Sequence, residues 1–344
     1  MAALRFTDST AYKKAVHTVA SEITVPGGRI LVTGSTGLIG SCIIDVLLDA
    51  NAAFGKQFEI YAMGRKEEKL RNRFGVVHGL HFVIQDAADP VTIEDLDYII
   101  HAASNADPKS YALYPAETIL TNILGAKSVL DCCRGKKTRA LLTSTFEVYG
   151  KLEQDEYDED HYGIIDLNLM RNCYPESKRT AELLFRAYAD EYGVDCVITR
   201  LSSIYGPTMK QDDSKAHAQF IRSALAGQDI VLKSKGEQVR TYCYVMDAVS
   251  GILTVLFRGR SGETYNVANE NSIVSIAELA QTIGDYAGTR VVFDLPDEVE
   301  NKGFSKPQNC VLKTDKIKGL GWSGKYDLKT GIHETMTILK ETVC

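Results

Sequence analysis

The chain has 344 residues, 44% hydrophobic and 24% charged, with a formal net charge of −6. That composition belongs to a globular protein, and its acidic balance argues against the broad basic face a nucleic-acid partner needs. The eight cysteines show no CxxC pair and no ligand-like spacing with the seven histidines, so a cytoplasmic protein with reduced thiols and no metal site is expected. No apolar run approaches the roughly 20 residues of a membrane span, and the first residues lack a signal-peptide core.

Residues 1–27 precede the first strand as an N-terminal extension in which Ala11–Ile23 can form a helix, closed by Pro26-Gly27-Gly28. Arg29–Gly40 then reads RILVTGSTGLIG: a short apolar strand, a turn with three glycines, and a helix whose Ile39, Ile43, Val46, Leu47 and Ala50 recur at helical spacing. Such a turn brings bare N–H groups to a pyrophosphate at the positive end of a helix. Gly34 permits the tight turn, Gly37 lets the backbone approach the phosphate and Gly40 lets helix and strand pack closely. Thr36, Leu38 and Ile39 share this turn, which predicts dinucleotide binding.

Further strands are expected at Phe58–Ala62, His81–Ile84, Tyr98–His101, Ala140–Thr143 and Cys196–Thr199, with helices between them. This alternation predicts an α/β protein with a doubly wound parallel sheet over residues 28–200. The long helices Pro115–Cys133 and Pro175–Tyr192 suggest a homodimer interface. After Met63-Gly64 stands Arg65, with no carboxylate before Glu67. An arginine there suits the 2′-phosphate of NADP, whereas NAD is usually met by an acidic residue. Asp86, after the third strand, is placed to touch the adenine. The run Glu153–Asp160 carries six carboxylates and is expected as a solvated loop.

Thr143–Gly150, TSTFEVYG, ends a strand at its carboxyl end, where open α/β sheets bind ligands. Tyr174 and Lys178, at i and i+4, share a helical face, and Pro175 is tolerated in the first turn. An ammonium beside a phenol favours phenolate. Bringing a phenol to neutrality takes roughly 3 pK units, about 4 kcal/mol. Tyr174 could then take a hydroxyl proton while a nicotinamide takes hydride from the same carbon. Beyond residue 200 the pattern loosens. Strands at Ile230–Lys233, Thr241–Val245 and Thr264–Val267, with helices near Ala216–Ala226, Asp247–Leu256 and Ser275–Ala287, predict a smaller substrate lobe over 201–344 that returns some segments to the main sheet.

These motifs together resemble the extended short-chain dehydrogenase/reductase family, the NAD-dependent nucleotide-sugar epimerases, dehydratases and decarboxylases. The resemblance runs from Arg29 to Ala287 on GSTGLIG (34–40), IIHAAS (99–104), Asn122 in TNILGA, STFEVYG (144–150), YPESK (174–178), RLSSIYGP (200–207) and RTYCYVMDA (240–248). It implies a tightly bound NAD or NADP lined by Ala102, Ala103, Ser104, Asn122, Tyr174 and Lys178. A nucleotide-sugar substrate would place Thr145 beside the C4 oxygen, Tyr174 as base, and Arg240, with Ser203, toward the diphosphate.

Members oxidise C4 and then diverge. Glu147 matches the Thr-x-Glu of dehydratases and UDP-glucuronate decarboxylases, and residues 101–115 and 171–179 look most like the decarboxylases. Phe146 stands where one type of dehydratase carries an aspartate that assists dehydration and where the decarboxylases carry serine. Ser203 replaces an asparagine common in the family, so both positions depart from the family pattern. The expected reaction is a redox-neutral, Glu147-assisted step at C5, either decarboxylation or 4,6-dehydration. C4 epimerisation, NADPH-dependent reduction of a keto-sugar and a non-catalytic dinucleotide-binding role are the alternatives.

Overall fold

The computed structural model describes residues 6–295 and 309–343. Its strands are β1 (Gly27–Thr33), β2 (Gln57–Gly64), β3 (Leu80–Ile84), β4 (Tyr98–His101), β5 (Arg139–Thr145), β6 (Glu156–Tyr157), β7 (Cys196–Leu201), β8 (Ser203–Tyr205), β9 (Ile230–Leu232), β10 (Val239–Tyr244), β11 (Thr264–Val267), β12 (Ile273–Ser275), β13 (Val291–Phe293) and β14 (Val311–Leu312). Each expected apolar run of the first half becomes a parallel strand; helices on both faces bury the central strands, while β3 at the edge stays partly exposed. The order of the main sheet is β11-β7-β5-β4-β1-β2-β3. The chain reverses direction across the sheet between β1 and β4, so a crevice opens at the carboxyl ends of these strands. β11 comes from the second half and pairs in parallel with β7.

Two cores cover the sheet. One face packs the helices Leu38–Phe54 and Val245–Arg258. The other packs Pro115–Cys133 and Cys173–Tyr192. The N-terminal helix, Thr10–Ala20, is built into the first core: Tyr12, Val16, Val19 and Ala20 are buried. Tyr12 donates to Asp45 Oδ2 at 2.5 Å, and Arg73 pairs with the same carboxylate. β12, β10 and β8 form a smaller sheet beside the main one, with β10 running parallel to β8.

The acidic run departs from expectation. Its centre is β6, which pairs in parallel with β14 and buries Tyr157 against Leu312 and Cys310. Glu159 accepts from Asn266 N at 2.6 Å, and burial raises its carboxyl above the ordinary range. Glu153, Asp155, Glu156 and Asp160 are exposed. Alternation within an extended segment lets one aromatic face inward while carboxylates stay in water.

Candidate active site

At the end of β1, Gly34 has φ +65°, and a Cβ there would lie 2.7 Å from the Ala102 carbonyl oxygen. A Cβ on Gly40 would lie 2.5 Å from the Gly34 carbonyl oxygen. Both positions therefore demand glycine, for the turn and for close packing. The helix Leu38–Phe54 starts on Gly37 with no side-chain cap, so its first-turn N–H groups face the crevice without a side-chain acceptor. This bare cradle fits a dinucleotide diphosphate. Beside it, Thr33 Oγ1 lies 2.9 Å from His101 Nδ1 and accepts from Ala103 N at 3.1 Å, tying β1 to the Ala102–Ser104 turn. Burial and the nearby Lys178 charge push the His101 imidazole down to about 3, so it is neutral.

Arg65 and Asp86 meet at the ends of β2 and β3, their charges 3.9 Å apart and largely exposed. On the other side of the crevice Ser104 Oγ donates to Asn122 Oδ1 at 2.8 Å, and Asn122 Nδ2 donates to Ser177 Oγ at 2.9 Å. Ser177 Oγ in turn donates to the Tyr174 carbonyl at 2.9 Å. This buried chain fixes the start of the helix Cys173–Tyr192 against Pro115–Cys133.

β5 delivers Thr145, then a 3-10 turn over Phe146–Tyr149 in which Thr145 Oγ1 accepts from Glu147 N at 3.2 Å. Tyr174 and Lys178 project toward this strand end from one face of their helix. Lys178 does not bond Tyr174; its Nζ donates to the Thr143 carbonyl at 2.9 Å. The expected lowering of the phenol by the ammonium is absent from this arrangement. Burial pushes the Tyr174 phenol up, the nearby Glu147 carboxylate and Tyr111 add to this, and only the Thr145 hydroxyl acts the other way.

Lys178 itself is pushed down by burial, to about 8, against a smaller upward pull from Glu182. This is below the ordinary lysine value of roughly 10.4, so between the two the unfolded chain binds more protons and stability rises with pH. Below pH 8 both states are protonated and the whole penalty is present. The parent is therefore expected to gain stability relative to Lys178→Met between pH 7 and pH 10, as the penalty of the buried ammonium is lost. Urea titrations of both proteins at the two pH values check this; a difference that does not change with pH contradicts it.

The site also holds Tyr111 and Arg171, which fall within the stretches 101–115 and 171–179 but take no individual role from the sequence. Tyr111, on the short helix Pro108–Leu113, stacks on Tyr174 with centroids 5.3 Å apart and planes at 13°. Arg171 Nη2 lies 3.2 Å from Glu147 Oε2 and donates toward the Tyr111 hydroxyl at 3.5 Å. Burial, with Glu147 nearby, pushes the Tyr111 phenol up to about 12. Spacing could have suggested only that Arg171 precedes Tyr174 by three residues. Arg240, on β10, has its guanidinium 5.9 Å from the centre of the Phe146 ring and donates to Gln238 Oε1 at 3.2 Å. Its buried Nε has no partner among the described residues. Phe146, Ser203, Arg240 and Cys310 cluster next to Glu147. Thr145, Glu147, Tyr174 and Lys178 thus converge at one strand end, Ser203 and Arg240 adjoin them from the lobe, and Arg65 with Asp86 stands across the glycine turn.

No helix among the described residues is long and apolar enough to cross a membrane, and none of their His, Cys, Asp and Glu side chains form a metal-binding group. Residues 30–268 match the NAD dependent epimerase/dehydratase family. The chain is 32% identical over 316 residues to UDP-glucuronic acid decarboxylase 3 of Arabidopsis thaliana, covering 91% of this chain and 89% of that protein. The fold superposes on dTDP-glucose 4,6-dehydratase of Streptomyces venezuelae, solved with NAD bound, at TM-score 0.77 and 26% identity, over 91% of this chain and 97% of that one. It superposes equally on UDP-glucuronic acid 4-epimerase of Bacillus cereus, at TM-score 0.77 and 21% identity, over 91% and 99%. With the matched region spanning the glycine cradle, the strand-end hydroxyl and the tyrosine–lysine helix, the chain belongs to the NAD dependent epimerase/dehydratase family.

Proposed function

We propose that this enzyme acts on a UDP-linked hexuronate, oxidising C4, releasing the C5 carboxylate as CO₂ and reducing C4 again, so that turnover is redox-neutral. The observation that carries this reading is Glu147, which stands beside Thr145 and Tyr174 at the end of β5 and is charge-paired to Arg171. The likeness to a UDP-glucuronic acid decarboxylase supports it. Thr145 and Tyr174 hold the C4 oxygen, and Tyr174 takes its proton. A ketone at C4 makes the uronate a β-keto acid, whose loss of CO₂ leaves an enolate; Glu147 serves the proton exchange at C5. Phe146 offers no acid to a leaving C6 hydroxyl, which weighs against aspartate-assisted dehydration.

In this reading the turn from Gly34 to Gly40, with Thr36, Gly37, Leu38 and Ile39, cradles the cofactor diphosphate. Arg65 and Asp86 lie at its adenosine end; Ala102, Ala103, Ser104 and Asn122 line its path; Lys178 meets the nicotinamide ribose. The nicotinamide, when bound, supplies the hydride acceptor for C4 and gives the hydride back. NAD is favoured over NADP because the Asp86 carboxylate already faces Arg65 at 3.9 Å and would oppose a 2′-phosphate. Ser203 and Arg240, from the lobe, take the sugar-nucleotide diphosphate. Leu120, Leu124 and Leu183 form an exposed apolar face on the two packed helices, and we assign a homodimer to it. Paired Leu120→Arg and Leu183→Arg substitutions should sediment as a monomer; a monomeric parent refutes the assignment.

The test of the reaction is to denature the purified protein, identify the nucleotide it releases, and follow CO₂ from UDP-glucuronate. Stoichiometric NAD and CO₂ release are expected. Glu147→Gln should cut CO₂ release by about 10²-fold or more while the nicotinamide absorbance change still appears. Full turnover in this variant removes Glu147 from the C5 step.

A further inference from the structure

We propose that Arg171 is the specificity-determining residue of the sugar site: it receives the C5 carboxylate and makes the site prefer nucleotide uronates over neutral nucleotide hexoses. This deepens the reading above and rests on it.

Arg171 lies on the 3-10 turn Met170–Asn172 that leads into the Tyr174 helix. Its side chain is 57% exposed, while that of Glu147 is 25% exposed. It pairs with Glu147 Oε2 at 3.2 Å, and its other contacts are long, 3.4 Å to Asn172 Oδ1 and 3.5 Å to the Tyr111 hydroxyl. Five N–H donors in a rigid fork thus serve three acceptors, which leaves capacity for a bidentate carboxylate. Tyr111 anchors the position, since its ring stacks on Tyr174 and its hydroxyl faces Arg171.

Charge counting gives the direction of selectivity. A hexose with a hydroxymethyl group at C5 brings no charge and needs no arginine. A uronate brings a second carboxylate toward Glu147, and two carboxylates in one site repel. Arg171 between them leaves the trio at a net single negative charge. Of the other cations nearby, Arg240 lies over Phe146 and toward Gln238 and Lys178 is buried on the Thr143 carbonyl, while burial pushes the Tyr111 and Tyr174 phenols up. Arg171 is therefore the cation positioned to offset the substrate carboxylate without leaving Glu147 unpaired.

The experiment is calorimetric titration of the NAD-loaded protein and its R171Q and R171K variants with UDP-glucuronate, UDP-glucose and UDP. R171Q should weaken UDP-glucuronate by roughly 10- to 100-fold while moving UDP-glucose and UDP by less than about twofold. R171K should fall between, because it restores the charge without the fork. Parent protein that prefers UDP-glucuronate, with a preference unchanged in R171Q, overturns this inference alone. So does an equal loss for all three ligands, which would mark a structural role. Parent protein with no preference for UDP-glucuronate overturns the uronate reading and this inference together.

Discussion

Tyr174→Phe is expected to lower kcat by about 10²–10⁴-fold, the usual contribution of a positioned acid–base group. The variant keeps the ring, so its stack on Tyr111, with centroids 5.3 Å apart, survives. Thr145, Glu147 and Lys178 also keep their backbone partners, because none of those bonds runs through the phenol oxygen. Stability and cofactor content should match the parent, and kcat should fall far more than substrate affinity. In the structure burial holds the phenol up, with Lys178 turned to the Thr143 carbonyl. The proton can leave Tyr174 only if the bound cofactor and substrate supply the missing positive field. Steady-state kinetics beside a thermal melt decides: turnover within tenfold of the parent would exclude Tyr174 as the base.

The largest loss of stability is expected from breaking the ion pair of Glu182 and Arg200. Arg200, on β7, is 8% exposed and Glu182, on the Tyr174 helix, 4%. The guanidinium reaches both carboxylate oxygens, with Nη2 donating to Oε2 at 2.8 Å and Nε to Oε1 at 3.1 Å. A third donor, Nη1, reaches the Glu159 carbonyl at 2.9 Å, and the group lies 4.7 Å over the Tyr149 ring. Glu182→Ala leaves a buried, uncompensated charge, which costs about 3–5 kcal/mol. The double variant Glu182→Leu with Arg200→Met removes both charges and should recover most of that loss. Because the pair clamps the helix bearing Tyr174 and Lys178 to the sheet, activity should fall with stability in the single variant. Urea unfolding of all three proteins tests it; a single variant within about 1 kcal/mol of the parent, the range of an exposed pair, shows that the pair is not decisive.

Much of this protein was determined by the sequence alone, wherever the cause is local. Apolar runs between helical stretches specify parallel strands, and three glycines at fixed spacing specify the turn, because only a residue without Cβ fits against the Ala102 carbonyl at 2.7 Å. Tyr174 and Lys178 share a face because i and i+4 always do. Family membership followed from these motifs in order. Tertiary structure decided what depends on partners distant in sequence. Tyr157 is buried because Val311–Leu312 arrives beside it, so a charged run became a strand. Tyr12 bonds Asp45 of the next helix, a partner 33 residues away. Lys178 turned to a strand carbonyl instead of the phenol, since burial favours the nearest fixed acceptor. Glu147, Arg171, Tyr111 and Tyr174 became one cluster only when β5, the Tyr111 helix and the turn before Tyr174 met. Periodicity states which face of an element is buried; which charge lies opposite is settled by close packing in three dimensions, where every buried polar group must find its partner.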